Sequence, residues 1–196
     1  MTPPNITQPG ASQSNEWLKP YYFSRAAFSI VWVLAAHTLG KEMPTLAALL
    51  LLVYPAWDAI ANLVDAKRNG GLQQNQTQAL NAGASGVATI AVAIALGISM
   101  HAVLGVFGVW AILAGLFQLA TGVRRWKTNG AQWAMVLSGA QSALAGAFFI
   151  KQATGALAPS IAAIAPYAAF GAFYFLVSAV WLTIKDARSR SARVAS

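Results

Sequence analysis

Residues 79–121 decide the fold, and they read ALNAGASGVATIAVAIALGISMHAVLGVFGVWAILAGLFQLAT. This stretch contains no Asp, Glu, Lys or Arg, and the charge-free run extends from Asn69 to Val123. A helix needs about 20 apolar residues to cross the hydrocarbon core of a bilayer, so the stretch is too long for one span and long enough for two. The segment Gly97–His101 contains glycine and serine, and we predict the turn between the two spans there.

The composition of the whole chain agrees with this interpretation. Of the 196 residues, 57% are hydrophobic and 9% are charged, whereas globular proteins have roughly 45–50% and about 25%. A water-soluble domain could not cover its surface with so few charges. The composition therefore excludes a soluble globular enzyme, and the high hydrophobicity excludes a disordered basic protein. With no cysteine, the chain has no disulfide and no Cys-ligated metal.

The positive charge is distributed as in a polytopic membrane protein. The formal net charge is +8, but the basic residues form short clusters between long uncharged runs. Nucleic-acid-binding proteins instead concentrate Lys and Arg on one face or stripe of a recognisable module. We therefore expect the lipid bilayer as a partner and no nucleic acid.

We predict an all-α fold with six transmembrane helices. A disordered cytoplasmic tail (residues 1–20) precedes the transmembrane domain (residues 21–185), and a basic cytoplasmic tail (residues 186–196) follows it. The predicted spans are 22–39, 44–64, 79–100, 102–121, 131–150 and 163–184.

The positive-inside rule tests this number of spans and orients them. With a cytoplasmic N-terminus, eleven of the 13 Lys and Arg residues fall on the cytoplasmic side, and only Lys41 and Lys151 fall outside. Miscounting by one span would destroy this alternation. The sequence therefore predicts a multi-pass protein with both termini in the cytoplasm.

The even-numbered spans resemble one another. The segment Tyr54–Trp57 aligns with Phe107–Trp110 and with Phe170–Phe173, and each span is followed by basic residues. Because all three spans run from outside to inside, the repeats are parallel. The sequence predicts three repeated helical hairpins.

This pattern resembles the bacterial HdeD-like family, also called the DUF308 short-repeat family, over residues 25–184. The resemblance rests on Arg25, on Pro44, and on the motifs Tyr54…Trp57-Asp58-Ala59-Ile60, Phe107…Trp110-Ala111-Ile112…Gly115-Leu116-Phe117-Gln118-Leu119, Trp133…Leu137-Ser138-Gly139 and Ala145-Gly146. It implies a bacterial inner-membrane location and, through the named member, an association with acid resistance. Asn62 and His37 depart from the pattern, because small or apolar residues are commoner there.

Asp58 is the acidic residue well inside a span, and an intramembrane carboxylate needs a partner facing the bundle interior. It lies 14 residues beyond Pro44, or about 21 Å at 1.5 Å per residue, which is too deep for His37. Arg25 is at a suitable depth in the neighbouring span, and a carboxylate–guanidinium pair is a strong one. We predict an Arg25–Asp58 ion pair, mainly structural. The alternative is that Arg25 reaches the headgroups while Asp58 bonds to Asn62 or water.

Two further sets of residues are candidates for a role. His37 and His101 are predicted near the outer surface, where they could sense pH, although interfacial histidines without a partner are ordinary. Small residues that allow close helix approach are Gly83, Gly86, Gly105, Gly108, Ser138, Ser142 and Gly146. Such faces leave a homo-oligomer or another membrane protein open as partners.

No metal-ligand cluster, phosphate loop or nucleophile motif is present, so we expect no enzyme activity and no cofactor. The leading hypothesis is a non-enzymatic inner-membrane protein that supports acid or envelope stress resistance through helix packing or partner binding. The alternative is a small transporter or proton or ion pathway centred on Asp58. A polar cavity that crosses most of the bilayer would favour the transporter, and a filled apolar core with a flat small-residue face would favour the leading hypothesis.

The charge count predicts the topology. A reporter that is active only in the periplasm should be active when fused after Gly155 and silent when fused after Gly71 or Ala192, because the basic clusters keep those positions in the cytoplasm. Measuring reporter activity in whole cells checks this. Periplasmic activity at both termini would reverse the orientation, and activity at one terminus would refute an even number of spans.

Overall fold

A computed structural model describes residues 10–124 and 132–194, which form six α-helices and no strand. A short 3₁₀ helix (Ile161–Ala163) precedes the last of them. The helices are α1 (Gly10–Thr38), α2 (Pro44–Arg68), α3 (Gln76–Leu96), α4 (Met100–Arg124), α5 (Gln132–Ala153) and α6 (Ala165–Val194).

The predicted break between the third and fourth spans lies at residues 97–99, within the expected segment. Helix α1 begins at Gly10 and so includes residues 10–20 of the segment predicted as a tail. Two contacts tie this first part of α1 to the bundle. The Arg68 guanidinium lies 4.8 Å from the ring centre of Trp17, and Lys19 forms an ion pair with Asp186 on α6. Residues 1–9 lie outside the described part of the chain.

The six helices form a closed ring in chain order. Each helix packs against the next, and α6 packs against α1. The most extensive packing joins α4 to α5, α1 to α6 and α2 to α3, whereas α1–α2 and α5–α6 pack much less closely. These two loosely packed pairs correspond to the first and third predicted hairpins. The closest helix contacts are therefore made mainly between the predicted hairpins and not within them.

Four helical segments are long and apolar enough to span a membrane among the described residues: Pro44–Arg68, Gln76–Leu96, Met100–Ala120 and Ile161–Arg188. Helix α3 illustrates the pattern, since Val87, Ile90 and Ile94 are exposed while Ala88 and Val92 are buried. Large aliphatic side chains thus point outward and smaller ones pack inward, the arrangement expected of helices surrounded by lipid. The chain is a membrane protein.

Two glycine pairs bring α4 and α5 into backbone contact. A Cβ atom built on Gly146 would lie 2.5 Å from the Gly108 carbonyl oxygen, and one built on Gly115 would lie 2.5 Å from the Gly139 carbonyl oxygen. The two glycines on each helix are seven residues apart, so they lie on one face of that helix. Close approach at small residues is a main source of helix association in membranes, where the hydrophobic effect contributes little.

The glycines predicted on α3 behave differently. A Cβ atom on Gly83 or Gly86 would meet nothing within 4 Å, so the prediction that these residues hold a helix contact is wrong. Gly105 is intermediate, because its Cβ would make an ordinary contact of 3.8 Å with Ala153. A small residue permits close approach, but the rotation of its helix decides whether a neighbour is there.

The two ends of the ring differ in charge. The end where α1 begins and α6 ends carries a cluster of basic residues, and we call it the basic end; its described members are Lys19, Lys67, Arg68, Lys185 and Arg188. The other half of the bundle contains a group of large side chains that are at most 2% exposed, which we call the plug: Trp32, Leu51, Leu104, Phe107 and Ile164.

The α4–α5 contact yields a stability prediction. Gly146→Ala should lower the free energy of unfolding by about 1–3 kcal/mol, because the new methyl group overpacks a backbone contact. Gly83→Ala is the matched control, and it should cause no loss because its methyl group enters open space. Thermal unfolding in detergent measures both variants. Equal melting temperatures for the two would contradict the assigned packing.

Candidate functional site

The centre of the bundle contains an ion pair between α1 and α2. Arg25 Nη2 donates to Asp58 Oδ1, and the two side chains are only 12% and 16% exposed. The depths of the two residues in the membrane, counted along the sequence, predict the same pair. An intramembrane charge is costly unless it is paired, and here each charge compensates the other.

The second carboxylate oxygen of Asp58 accepts hydrogen bonds from two further side chains. Ser85 Oγ on α3 donates to Asp58 Oδ2 at 2.7 Å, and Asn62 Nδ2 donates to the same oxygen at 3.0 Å. Trp110 Nε1 on α4 in turn donates to Ser85 Oγ at 2.9 Å. We call these five residues (Arg25, Asp58, Asn62, Ser85 and Trp110) the Asp58 network. It connects α1, α2, α3 and α4 through side chains alone.

Aromatic rings surround the Arg25 guanidinium. Its Cζ lies 4.4 Å from the ring centre of Phe175 on α6, and its Nη1 donates to the Tyr21 hydroxyl at 3.1 Å. A cation over an aromatic face is attracted by the ring quadrupole, and more strongly where water is excluded. Arg25 is therefore held by α1, α2 and α6 together.

Three aromatic side chains, one from each even-numbered helix, meet near the central axis of the helix bundle. The ring centres of Tyr54, Trp110 and Tyr167 lie 5.9–6.4 Å apart, with near-perpendicular planes. Such edge-to-face pairs are favourable beyond the area they bury. The three residues are not aligned with one another in the ungapped sequence repeat. The aligned Phe170 is 52% exposed, so the third repeat departs from the other two.

A cavity of about 790 Å³ lies inside the ring and extends from the basic end past the Asp58 network. At the basic end it is lined by residues close to helix ends, including Leu18, Asp65, Gln78 and Lys185. Deeper it is lined by the amides of Asn81, Gln118 and Gln141 and by aromatic rings, among them Tyr54, Trp57, Trp110, Tyr167 and Tyr174. Its volume is within the range of small-molecule sites.

The plug fills the interior beside α1, α2 and α4 in the half away from the basic end. Trp32 fixes one side of it, because its Nε1 donates to the Leu50 carbonyl oxygen at 2.7 Å and its ring lies 4.8 Å from that of Tyr54. The cavity begins at the basic end and passes the Asp58 network, and on the side of α5 and α6 its lining continues to Phe148, Ala163 and Pro166.

The other predicted site residues have separate positions. His37 is exposed at the end of α1, and His101 Nε2 makes a 3.0 Å hydrogen bond with the Gly155 carbonyl oxygen. Neither histidine lines the cavity. Ser138 and Ser142, predicted as packing residues, both line the cavity, and Ser142 also borders Gly115. In the described part of the chain, no group of three His, Cys, Asp or Glu residues could hold a metal ion.

Sequence reasoning missed Ser85, Trp110 and Phe175 as members of the site. A signal for Ser85 was present, because Asp58 and Ser85 are about equally far from the loop at residues 69–75. That loop is tight, with Gly70 and Gly71 at φ of 98° and 96°, a region that favours glycine. Residues equally far from a tight loop lie at the same depth in antiparallel helices. No comparable signal identifies Phe175, since α6 follows a longer connection.

Comparison with known proteins connects part of the chain to a family. Residues 82–151 match the family model of DUF308, described as a short repeat of unknown function. The matched region covers most of α3, all of α4 with the connection after it, and α5 to Lys151. It includes both glycine pairs, Ser85 and Trp110. No curated protein and no solved structure shows a significant match to the chain.

The ion pair yields a prediction of non-additivity. Arg25→Ala and Asp58→Asn should each destabilise the detergent-solubilised protein, by about 3–5 kcal/mol where a buried charge loses its partner. The double variant should lose less than the sum, because neither charge is then left alone. Unfolding free energies of the four proteins give the coupling.

The Lys19–Asp186 pair is the matched control, since it also joins two helices but its side chains are 22% and 26% exposed at the basic end. Its coupling should be about 0–1 kcal/mol, as for exposed ion pairs. Strict additivity at Arg25 and Asp58 would show that the pair contributes no coupling of its own.

Proposed function

We propose that this protein is a non-enzymatic integral membrane protein that binds a small ligand in its central cavity. The observation that carries the proposal is the cavity itself, which begins at the basic end and extends past the Asp58 network, with the plug beside it in the other half. A mostly apolar and aromatic cavity with a few convergent polar groups is the usual form of a small-molecule site. The small residues of α4 and α5, in contrast, pack against each other and leave no flat face for a partner.

The proposal includes all six helices as membrane spans in a bacterial inner membrane, with the basic end in the cytoplasm. Helices α1 and α5 complete the ring, and α1 carries Arg25 and tyrosines on its cavity side, which lower its mean hydropathy. The basic residues at one end support the orientation by the positive-inside rule. The three-hairpin description of the chain is part of the same proposal.

A binding role is better supported than a catalytic one. Asp58, the deepest carboxylate that lines the cavity, accepts hydrogen bonds from Arg25, Ser85 and Asn62. Both oxygens of the Asp58 carboxylate are thus already occupied by donors of this chain, which leaves little capacity to act on a bound ligand. The same contacts give little support to a proton pathway centred on Asp58.

A role in acid or envelope stress rests on the HdeD-like resemblance alone. The two histidines that could respond to acid lie apart from the cavity, so the geometry adds nothing to that hypothesis. Survival of a deletion strain at low pH, with and without the wild-type gene, tests it independently of the cavity.

Cysteine accessibility tests the cavity, and the absence of native cysteine makes single-cysteine variants free of background. We expect Gln118→Cys and Ser178→Cys to react with a charged, water-soluble thiosulfonate at least about tenfold faster than the controls, because thiolate formation requires water. The controls are Ala36→Cys in the buried core and Val87→Cys on the outer surface, 0% and 68% exposed respectively.

Membrane vesicles of both orientations separate the two ends of the cavity. Reaction should be faster when the reagent is on the side of the basic end, because the cavity begins there, whereas the plug fills part of the interior in the other half. If Gln118→Cys and Ser178→Cys react as slowly as Val87→Cys, the interior holds no water-filled cavity and the proposed function fails.

A further inference from the structure

The wall of the cavity is incomplete between α5 and α6. Leu144 and Phe148 on α5 and Phe170 and Val177 on α6 all line the cavity, yet they are 72%, 55%, 52% and 39% exposed. Cavity residues on the other even-numbered helices are covered, with Tyr54 at 9% and Trp110 at 4%. We call the gap framed by the four exposed residues the side opening.

The helical spacing of these residues supports a continuous opening. Leu144 and Phe148 are four residues apart, and Phe170 and Val177 are seven apart, so each pair lies on one face of its helix. The two helices pack much less closely than α4 and α5. The other loosely packed pair, α1 and α2, is joined by the Arg25–Asp58 ion pair and by stacking of Phe28 on Trp57 at 4.8 Å. Between α5 and α6, Tyr167 contacts Phe149 and Ser142 on the cavity side, while the four residues of the gap stay exposed.

The side opening connects two different environments. Its rim consists of apolar side chains at the depth of the hydrocarbon core, whereas the interior behind it carries the amides of Asn81, Gln118 and Gln141. A solute that dissolves only in water would meet no polar group at the rim, and a pure hydrocarbon would leave the interior amides without partners. A molecule with an apolar chain and a polar head satisfies both.

The charges inside the cavity indicate the kind of head. Among the described residues, the charged side chains that line it are Arg25, Asp58, Asp65 and Lys185, two of each sign. Arg25 is already paired with Asp58. A head without net charge that donates and accepts hydrogen bonds therefore matches this interior, because amides do both. The volume of about 790 Å³ is in the range of sites for single small molecules.

We propose that the ligand of the cavity is a single-chain amphiphile with a net-neutral, hydrogen-bonding head, which passes between α5 and α6 directly from the bilayer. This inference deepens the proposed function and rests on it. The head lies among the interior amides, and the chain lies in the side opening against Phe148 and Phe170.

A photoreactive monoacylglycerol with a diazirine in its chain tests the proposal on the full chain in liposomes. After irradiation, mass spectrometry should find labels concentrated on α5 and α6 around the side opening, and excess unlabelled monoacylglycerol should suppress them. Labels spread equally over Val87 and Ile90, which face outward on α3, would show general lipid contact and overturn the proposal.

Blocking variants make the test specific. Ala145→Trp and Val177→Trp each place a large ring in the side opening from opposite helices, and each should reduce specific labelling about tenfold, the change expected from about 1.4 kcal/mol of lost binding. Val87→Trp is the control, because it adds the same ring on the outer surface. Gel filtration and thermal unfolding confirm folding, and labelling like that of the parent in both blocked variants would overturn the proposal.

Protection of cysteine separates this inference from the proposed function. Monoacylglycerol should slow the reaction of Gln118→Cys, whereas glycerol should not, and a fatty acid of equal chain length should protect less because its head is charged. If Gln118→Cys reacts but monoacylglycerol gives no protection, the proposed water-filled cavity is supported and the amphiphile proposal is overturned. Equal protection by the fatty acid would overturn the net-neutral head.

Discussion

The structure depends on one constraint, the placement of a carboxylate in the middle of a membrane helix. Asp58 can remain there because Arg25, Ser85 and Asn62 donate to its two oxygens from three helices. Trp110 extends the chain of donors to a fourth helix. A fully satisfied polar network in a medium of low dielectric is strongly held, whereas a partly satisfied one is costly. The first four helices are therefore bound to one another by hydrogen bonds as well as by packing.

The remaining helices are joined by different means, and this difference creates the cavity. Helix α5 is held to α4 by backbone contact at the two glycine pairs, and α6 is held to α1 by close packing and by Phe175 over Arg25. Between α5 and α6 the ring contact of Phe149 with Tyr167, at 5.9 Å, spans the interior. Large side chains that line the cavity are exposed at this junction, so the interior opens to the surroundings there and at the basic end.

Features that depend on the depth of a residue in the membrane could be predicted from the sequence, whereas features that depend on the rotation of a helix about its axis could not. The helices and the position of Arg25 beside Asp58 follow from counting residues along spans. Rotation decides that Gly108 and Gly146 meet while Gly83 and Gly86 face outward, and no local pattern encodes it. The cavity belongs to the second kind, because it arises where two helices fail to pack. Contacts with α2 and α6, distant in sequence, hold Trp17 and Lys19 of α1, and no local pattern encodes those contacts either.

The packing of α1 against α6 has a consequence for how the protein is assembled during synthesis. Arg25 enters the membrane with the first helix, and Asp58 and Ser85 follow soon after, so its charge is compensated early. Phe175, which covers its guanidinium, emerges only after four further helices have been made. Until then the bundle is an open arc with its polar interior facing lipid or neighbouring proteins along one whole side. Ring closure is therefore a late, long-range step of biogenesis, in contrast to the local pairing that builds the first half.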